Sequence, residues 1–186
     1  MNKSFLSVLA IALLLVPSCR NRQNSSETSA SGEQEPAAEE LLEKYAPDVK
    51  PGDEAFVFAS KDIYGNDFSL ASLRGKYVVL DFWASWCPDC VGDIPALKEL
   101  QRMYGSKGVE FVSYSFDDSE EDWKAMLDKS GMPWTQVSDL IKWKENPVSA
   151  AYGIHWIPTS ILIDPQGVVA GVAVNAETLE DLLKEL

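Results

Sequence analysis

The chain has 186 residues, 46% of them apolar, enough for one core of ordinary size. Its 16 Lys and Arg against 29 Asp and Glu leave a net charge of −13, which argues against nucleic acid as a partner and against electrostatic attachment to anionic lipid. Three cysteines leave one thiol outside any intramolecular pair.

Met1-Asn2-Lys3 is a short basic start, and Phe5 to Val16 is an apolar run of twelve, shorter than the roughly 17–25 residues of a spanning helix. Residues 1–18 therefore read as a signal peptide. Val16-Pro17-Ser18-Cys19 resembles the bacterial lipobox, in which the cysteine is lipidated and becomes the mature N-terminus. That resemblance implies an exported lipoprotein held at the extracytoplasmic side of a bacterial membrane, facing the periplasm where there is one. Pro17 departs from the pattern, and an ordinary cleaved signal with Cys19 near the cut is the alternative. From Arg20 to about Glu43, Ser, Glu, Gln, Asn and Ala dominate, a composition too polar for a packed core. Residues 19–44 thus read as lipidated terminus and flexible tether, and residues 45–186 as one folded domain.

Pro51-Gly52 opens the folded part. Ala55 to Ala59 alternates as a first strand, and Asp62 to Phe68 makes a hairpin around Gly65-Asn66. Leu70 to Arg74 is one helical turn. Tyr77 to Trp83, apolar and β-prone throughout, is a strand buried on both faces, and Pro88 suits the first position of a helix. That helix runs to about Tyr104 with Val91, Ile94, Leu97, Leu100 and Tyr104 on one stripe and a bend expected at Pro95. Val109 to Phe116 is the next strand, parallel to the first across a right-handed crossover. Asp117-Asp118-Ser119 precede a helix with Trp123, Met126 and Leu127 inward, ended by Gly131 and Pro133. Trp134 to Val137 reads as a short edge strand, and the polar stretch Asp139 to Asn146 has no assignment. Pro147 to Tyr152 is a short helix stopped by Gly153. Thr159 to Ile163 and Val168 to Val174 pair as a hairpin about Asp164–Gly167, and Ala176 to Leu186 closes the chain as a helix capped by Asn175.

Cys87 stands at the N-terminus of the Pro88 helix, where free N–H groups and the positive end of the helix dipole favour a thiolate, so it is the candidate nucleophile. Cys90 lies on the same side of the first turn, close enough to form a disulfide with it. The run Asp81-Phe82-Trp83-Ala84-Ser85-Trp86-Cys87-Pro88-Asp89-Cys90, with Pro95 five residues on and Ile157-Pro158-Thr159 downstream, resembles the thioredoxin superfamily. The branch it resembles is that of the exported TlpA-like or ResA-like thiol:disulfide oxidoreductases. A lone Cys-x-x-Cys is also half of a zinc site, whereas ten residues in register are specific.

The resemblance implies a thioredoxin-like α/β fold: three layers, helices on both faces of a mixed central sheet, and the hairpin as an N-terminal extension. It implies that Cys87 attacks a disulfide in an exported partner protein and that Cys90 resolves the mixed disulfide. Asp81 becomes a buried carboxylate exchanging protons with Cys90, an edge aspartate open to solvent being the alternative. Pro158 is expected in cis, with Ile157 offering its backbone to an extended substrate. The redox pair needs no cofactor and no metal, and electrons come from a membrane thiol reductase. Trp86 and Trp156 flank the motifs as an apolar docking face, core packing being the alternative for Trp156. Trp123, Trp134 and Trp143 read as packing residues, and His155, the single histidine, as a loop residue without a second ligand. Asp89 makes the neighbouring thiolate less favourable, which points to a reducing couple. Two rivals remain: a peroxiredoxin-like peroxidase, although Ser85-Trp86 stand where peroxiredoxins carry Thr, and a binding module using the two cysteines as half of a shared zinc site.

Overall fold

The computed structural model describes residues 38–186, so the expected signal peptide, Cys19 and most of the expected tether lie outside the described residues. The tether's last part is not irregular. Ala38–Tyr45 is a helix, α1, with Glu39 and Glu40 in its first turn and Lys44 in its last, charges placed to suit the helix dipole. Leu41, Leu42 and Tyr45 are partly buried, so composition alone hid a short amphipathic segment there.

Seven strands form one mixed sheet: β1 Ala59–Asp62, β2 Asp67–Ser69, β3 Val78–Trp83, β4 Glu110–Ser115, β5 Thr135–Ser138, β6 Thr159–Ile163 and β7 Val169–Ala173. Their spatial order is β2-β1-β5-β4-β3-β6-β7. The β3-β4-β5 part is parallel, β6 joins β3 antiparallel, and β1 joins β5 antiparallel. Two expectations need correction here. β5 is not an edge strand, because the hairpin β1-β2 adds to its free side with Lys61 opposite Ser138. Nor is Ala55 to Ala59 a strand: Ala55 and Phe58 are buried while Phe56 and Val57 are each 44% exposed, a spacing of three rather than two. The Ala55 N–H goes instead to the Gly167 carbonyl in the β6-β7 turn.

The helices are α2 Pro88–Gly105, α3 Glu120–Ser130, α4 Pro147–Tyr152 and α5 Ala176–Lys184. Every residue of β3 is buried, as its apolar run requires for a central strand covered on both sides. Its alternation divides the core: Leu80 and Phe82 pack with Tyr114, Tyr152 and Ile161, whereas Val79 packs with Leu97 and Leu100 of α2 and Leu179 and Leu183 of α5. The result is helix, sheet and helix in three layers. α2 runs unbroken through Pro95. Ser119 caps α3, Asn146 caps α4, and Asn175 with Thr178 forms a reciprocal box at α5, each placing a side-chain acceptor on an otherwise unpaired N–H.

The unassigned stretch Asp139 to Asn146 is held by polar side chains. Asp139 accepts from the Tyr114 hydroxyl at 2.7 Å and from Ser60 at 2.6 Å, and Asn146 donates to the Tyr114 oxygen at 3.0 Å. Burial, with the Asp139 carboxylate beside it, keeps the Tyr114 phenol protonated far above its ordinary range, so it is a stable donor. These bonds anchor α4 and, through it, the loop to Pro158. At the far end of α4, Gly153 has φ +62, and a Cβ there would fall 2.4 Å from the Asp48 side chain, so glycine is required.

Candidate active site

β3 ends at Trp83, and the next residues turn into α2 with Cys87 as its N-cap. The cap is a sulfur: Cys87 Sγ accepts the Cys90 N–H at 3.1 Å. Pro88 follows at the first helical position, where its missing donor costs nothing. Cys87 and Cys90 are joined in a disulfide with Cα atoms 5.3 Å apart. An N–H aimed at Cys87 Sγ from the positive end of an 18-residue helix is the electrostatic environment that stabilises a thiolate once the bond opens.

The exposure of Cys87 is smaller than the sequence suggests. Cys87 retains 5% of its surface and Cys90 only 2%. The reason is the loop facing them: the Ile157–Pro158 bond is cis, and the Ile157 carbonyl oxygen lies 3.7 Å from Cys87 Sγ. Cys87 is still the more accessible of the two, with the Ile157 backbone beside it.

Asp81, in the middle of β3, is 4% exposed. Its register neighbours are Ser113 on β4 and Ser160 on β6, and both hydroxyls donate to its carboxyl, at 2.9 and 3.3 Å. The Trp134 indole N–H donates in turn to Ser113 Oγ at 2.8 Å. Burial pushes the Asp81 carboxyl from 3.8 up to about 7; the two serine bonds oppose that rise and the Asp93 charge adds to it. Asp81, Trp83, Cys90, Ile94, Leu97, Met132 and Pro158 line one void too small to admit a water molecule. The fold therefore brings Asp81, Cys90 and Pro158 to one dry space, which Cys87 and Ile157 do not line.

The tryptophans occupy different settings. Trp86 is 54% exposed, and its ring lies 6.3 Å from that of Trp143, which stacks on Phe116 behind it at 5.9 Å and carries Lys144 Nζ 3.8 Å over its face. Trp156 stacks at 4.1 Å on Tyr45 of α1 and is half-buried, so it packs against the chain's own N-terminal segment. The aromatic partner of Trp86 is thus Trp143. Trp123 and Trp134 are core residues, and His155 is an exposed loop residue paired with Asp48 at 2.8 Å.

Three polar residues carry no signal in the sequence pattern. Ser113 and Ser160 are ordinary strand serines until the register sets them beside Asp81. Asp117, 1% exposed at the end of β4, accepts from the Ser85 N–H at 3.0 Å, the Ser85 hydroxyl at 2.6 Å and the Ser115 hydroxyl at 2.6 Å. It fastens the turn two residues before Cys87 and so fixes where α2 begins.

The AhpC/TSA family profile matches residues 51–172, which include both cysteines, Asp81 and Pro158. The chain is 33% identical over 131 residues to the thiol-disulfide oxidoreductase ResA of Bacillus thuringiensis strain Al Hakam, covering 70% of this chain and 73% of that protein. Its fold matches the thioredoxin domain of a thiol-disulfide oxidoreductase from Bacteroides vulgatus with TM-score 0.68 and 31% identity, over 74% of this chain and 97% of that one. A thiol-disulfide oxidoreductase from Bacteroides fragilis matches with TM-score 0.66 and 30% identity, over 72% and 98%. The disulfide set in a helix N-terminus, beside a buried acid and under a cis-proline loop, stands in a chain that aligns with thiol-disulfide oxidoreductases over most of its length: it belongs to the AhpC/TSA family and, within it, to the ResA-like thiol-disulfide oxidoreductases.

Proposed function

We propose that the protein reduces disulfides in exported proteins from an extracytoplasmic, lipid-anchored position. The observation that carries the chemistry is the Cys87–Cys90 pair itself, one sulfur capping α2 and the other beside the sealed Asp81 carboxyl. The Cys87 thiolate attacks a partner disulfide; a Cys87–partner S–S bond forms and the partner's second sulfur leaves as a thiolate. Cys90, its proton taken by Asp81, then attacks Cys87 Sγ, restoring the intramolecular disulfide and expelling the partner as a dithiol. Two electrons pass to the partner, and a membrane dithiol carrier returns them to the pair, which needs no cofactor. Pro158 and Ile157 hold the partner's backbone, and Trp86 supplies apolar contact.

The location rests on the apolar N-terminal run and on Cys19. The direction rests on Asp89, whose carboxylate in the first turn of α2 disfavours a second negative charge on Cys87 and so makes the dithiol the less stabilised form. Equilibration with glutathione measures the potential. The expected value lies nearer the roughly −270 mV of thioredoxin, and a value near −120 mV identifies an oxidase instead.

A further inference from the structure

Met132 stands between two spaces that no expected role connects. On its inner side is the dry void that holds Asp81, Cys90 and Pro158. On its outer side is an open cavity of about 400 Å³, whose lining includes Asp62, Asp128, Trp134 and Gln136. Met132 itself is only partly buried and packs against both halves of the core. Among the described residues it alone borders both spaces.

Two further contacts bear on the same place. Trp134 lines the outer cavity while its indole N–H reaches Ser113, the hydroxyl that donates to Asp81, so the hydrogen-bond chain from the carboxyl ends at the cavity wall. Gln136 is 4% exposed; its amide N–H faces Met132 Sδ at 4.0 Å, and its Oε1 finds no hydrogen-bond partner among the described residues. A buried amide oxygen without a donor is costly, so the wall between the cavity and Met132 is not tightly satisfied.

We propose that the Met132 side chain is the barrier that keeps water from the Asp81–Cys90 void, and that protons pass between Asp81 and solvent past it, through the Asp62–Gln136 cavity. The inference rests on the reading of Asp81 as the proton partner of Cys90, and makes Met132 a positioning residue for it. An unbranched thioether suits such a barrier, since it fills an irregular gap and its three rotatable bonds let it swing aside. In the oxidised protein the charged group acting on Asp81 is Asp93 of α2, since Cys90 is held in the disulfide and becomes ionisable only on reduction; β4 and β6 contribute the neutral hydroxyls of Ser113 and Ser160. With so few charges nearby, water entry is the effect that governs Asp81.

Carbon-13 NMR titration of the full chain follows the Asp81 carboxyl directly, in wild type, Met132→Ala and Met132→Leu. Met132→Ala joins the two spaces, and its Asp81 midpoint falls by about one pH unit or more as water solvates the carboxylate. Met132→Leu, apolar and of similar volume, restores the wild-type midpoint. Should the alanine variant fail to fold, Met132→Val is read in the same way. An unchanged midpoint in the truncated variant overturns the barrier. The pH profile of turnover in Asp81→Asn separates this from the underlying reading: a profile like that of wild type removes Asp81 from the exchange, whereas the carboxyl titration still reports whether Met132 shields it.

Discussion

Cys87→Ser abolishes turnover, with a loss of at least about 10³-fold, because no other described thiol has a helix N-terminus to stabilise its ionised form. Cys90→Ser behaves differently. Its Cys87 still opens a partner disulfide once, so a single equivalent of partner thiol is released and the partner stays attached. The asymmetry follows from position. Cys87 Sγ receives an N–H of the first turn of α2 and lies against the Ile157 carbonyl, while Cys90 faces the void inside. Non-reducing gels of each variant mixed with a disulfide-bonded protein check the expectation. Covalent adducts that accumulate on Cys87→Ser and not on Cys90→Ser reverse the roles of the two sulfurs.

Asp81→Asn has a large effect on both stability and rate. The folded carboxyl titrates near 7 against an ordinary 3.8, so between those values the folded chain holds a proton that the unfolded chain has lost. Because the folded state binds more protons, its stability falls as pH rises from about 4 to about 7. Taken in full, that window corresponds to about 4 kcal/mol, an upper bound because relaxation of the surrounding structure around the carboxylate lowers it. Asparagine removes this slope. It keeps the shape and still accepts from Ser113 or Ser160, so urea denaturation of the oxidised variant gives a higher midpoint than wild type at pH 8, and a smaller or reversed difference at pH 4. Turnover moves the opposite way, falling by about 10²-fold as the base for Cys90 is lost. Equal pH dependence of stability in the two proteins contradicts the buried, protonated state assigned to Asp81.

The elements legible in the residue pattern are those whose signals are local. Pro147 to Tyr152, bounded by a proline and a glycine, and Thr159 to Ile163, a buried run before Asp164-Pro165, match α4 and β6 residue for residue. Cys87 at the mouth of a helix is legible for the same reason, since Pro88 marks a first helical position. What the pattern misses depends on partners far away in the chain. Thr135–Ser138 looks like an edge because nothing near it announces that β1, more than seventy residues earlier, lies beside it. Ala55 to Ala59 has strand-like residues but spends its first N–H on Gly167. The site divides along the same line. Asp81 is recognisable through its motif, whereas Ser113 and Ser160 acquire meaning only from the register of three strands. Trp143 sits in a polar stretch that Asp139, Asn146 and Tyr114 fold together, and no periodicity in that stretch reveals its place beside Trp86.

Disulfide exchange at this site depends most on the ionisation of Cys87 in the reduced protein. Iodoacetamide alkylation across pH, with the modified peptide mapped by mass spectrometry, measures it without any partner. The expected result is that Cys87 reacts first and with a midpoint below the roughly 8.5 of a free cysteine, while Cys90 stays protected. Alkylation of Cys90 first, or a Cys87 midpoint at or above that of a free thiol, contradicts it.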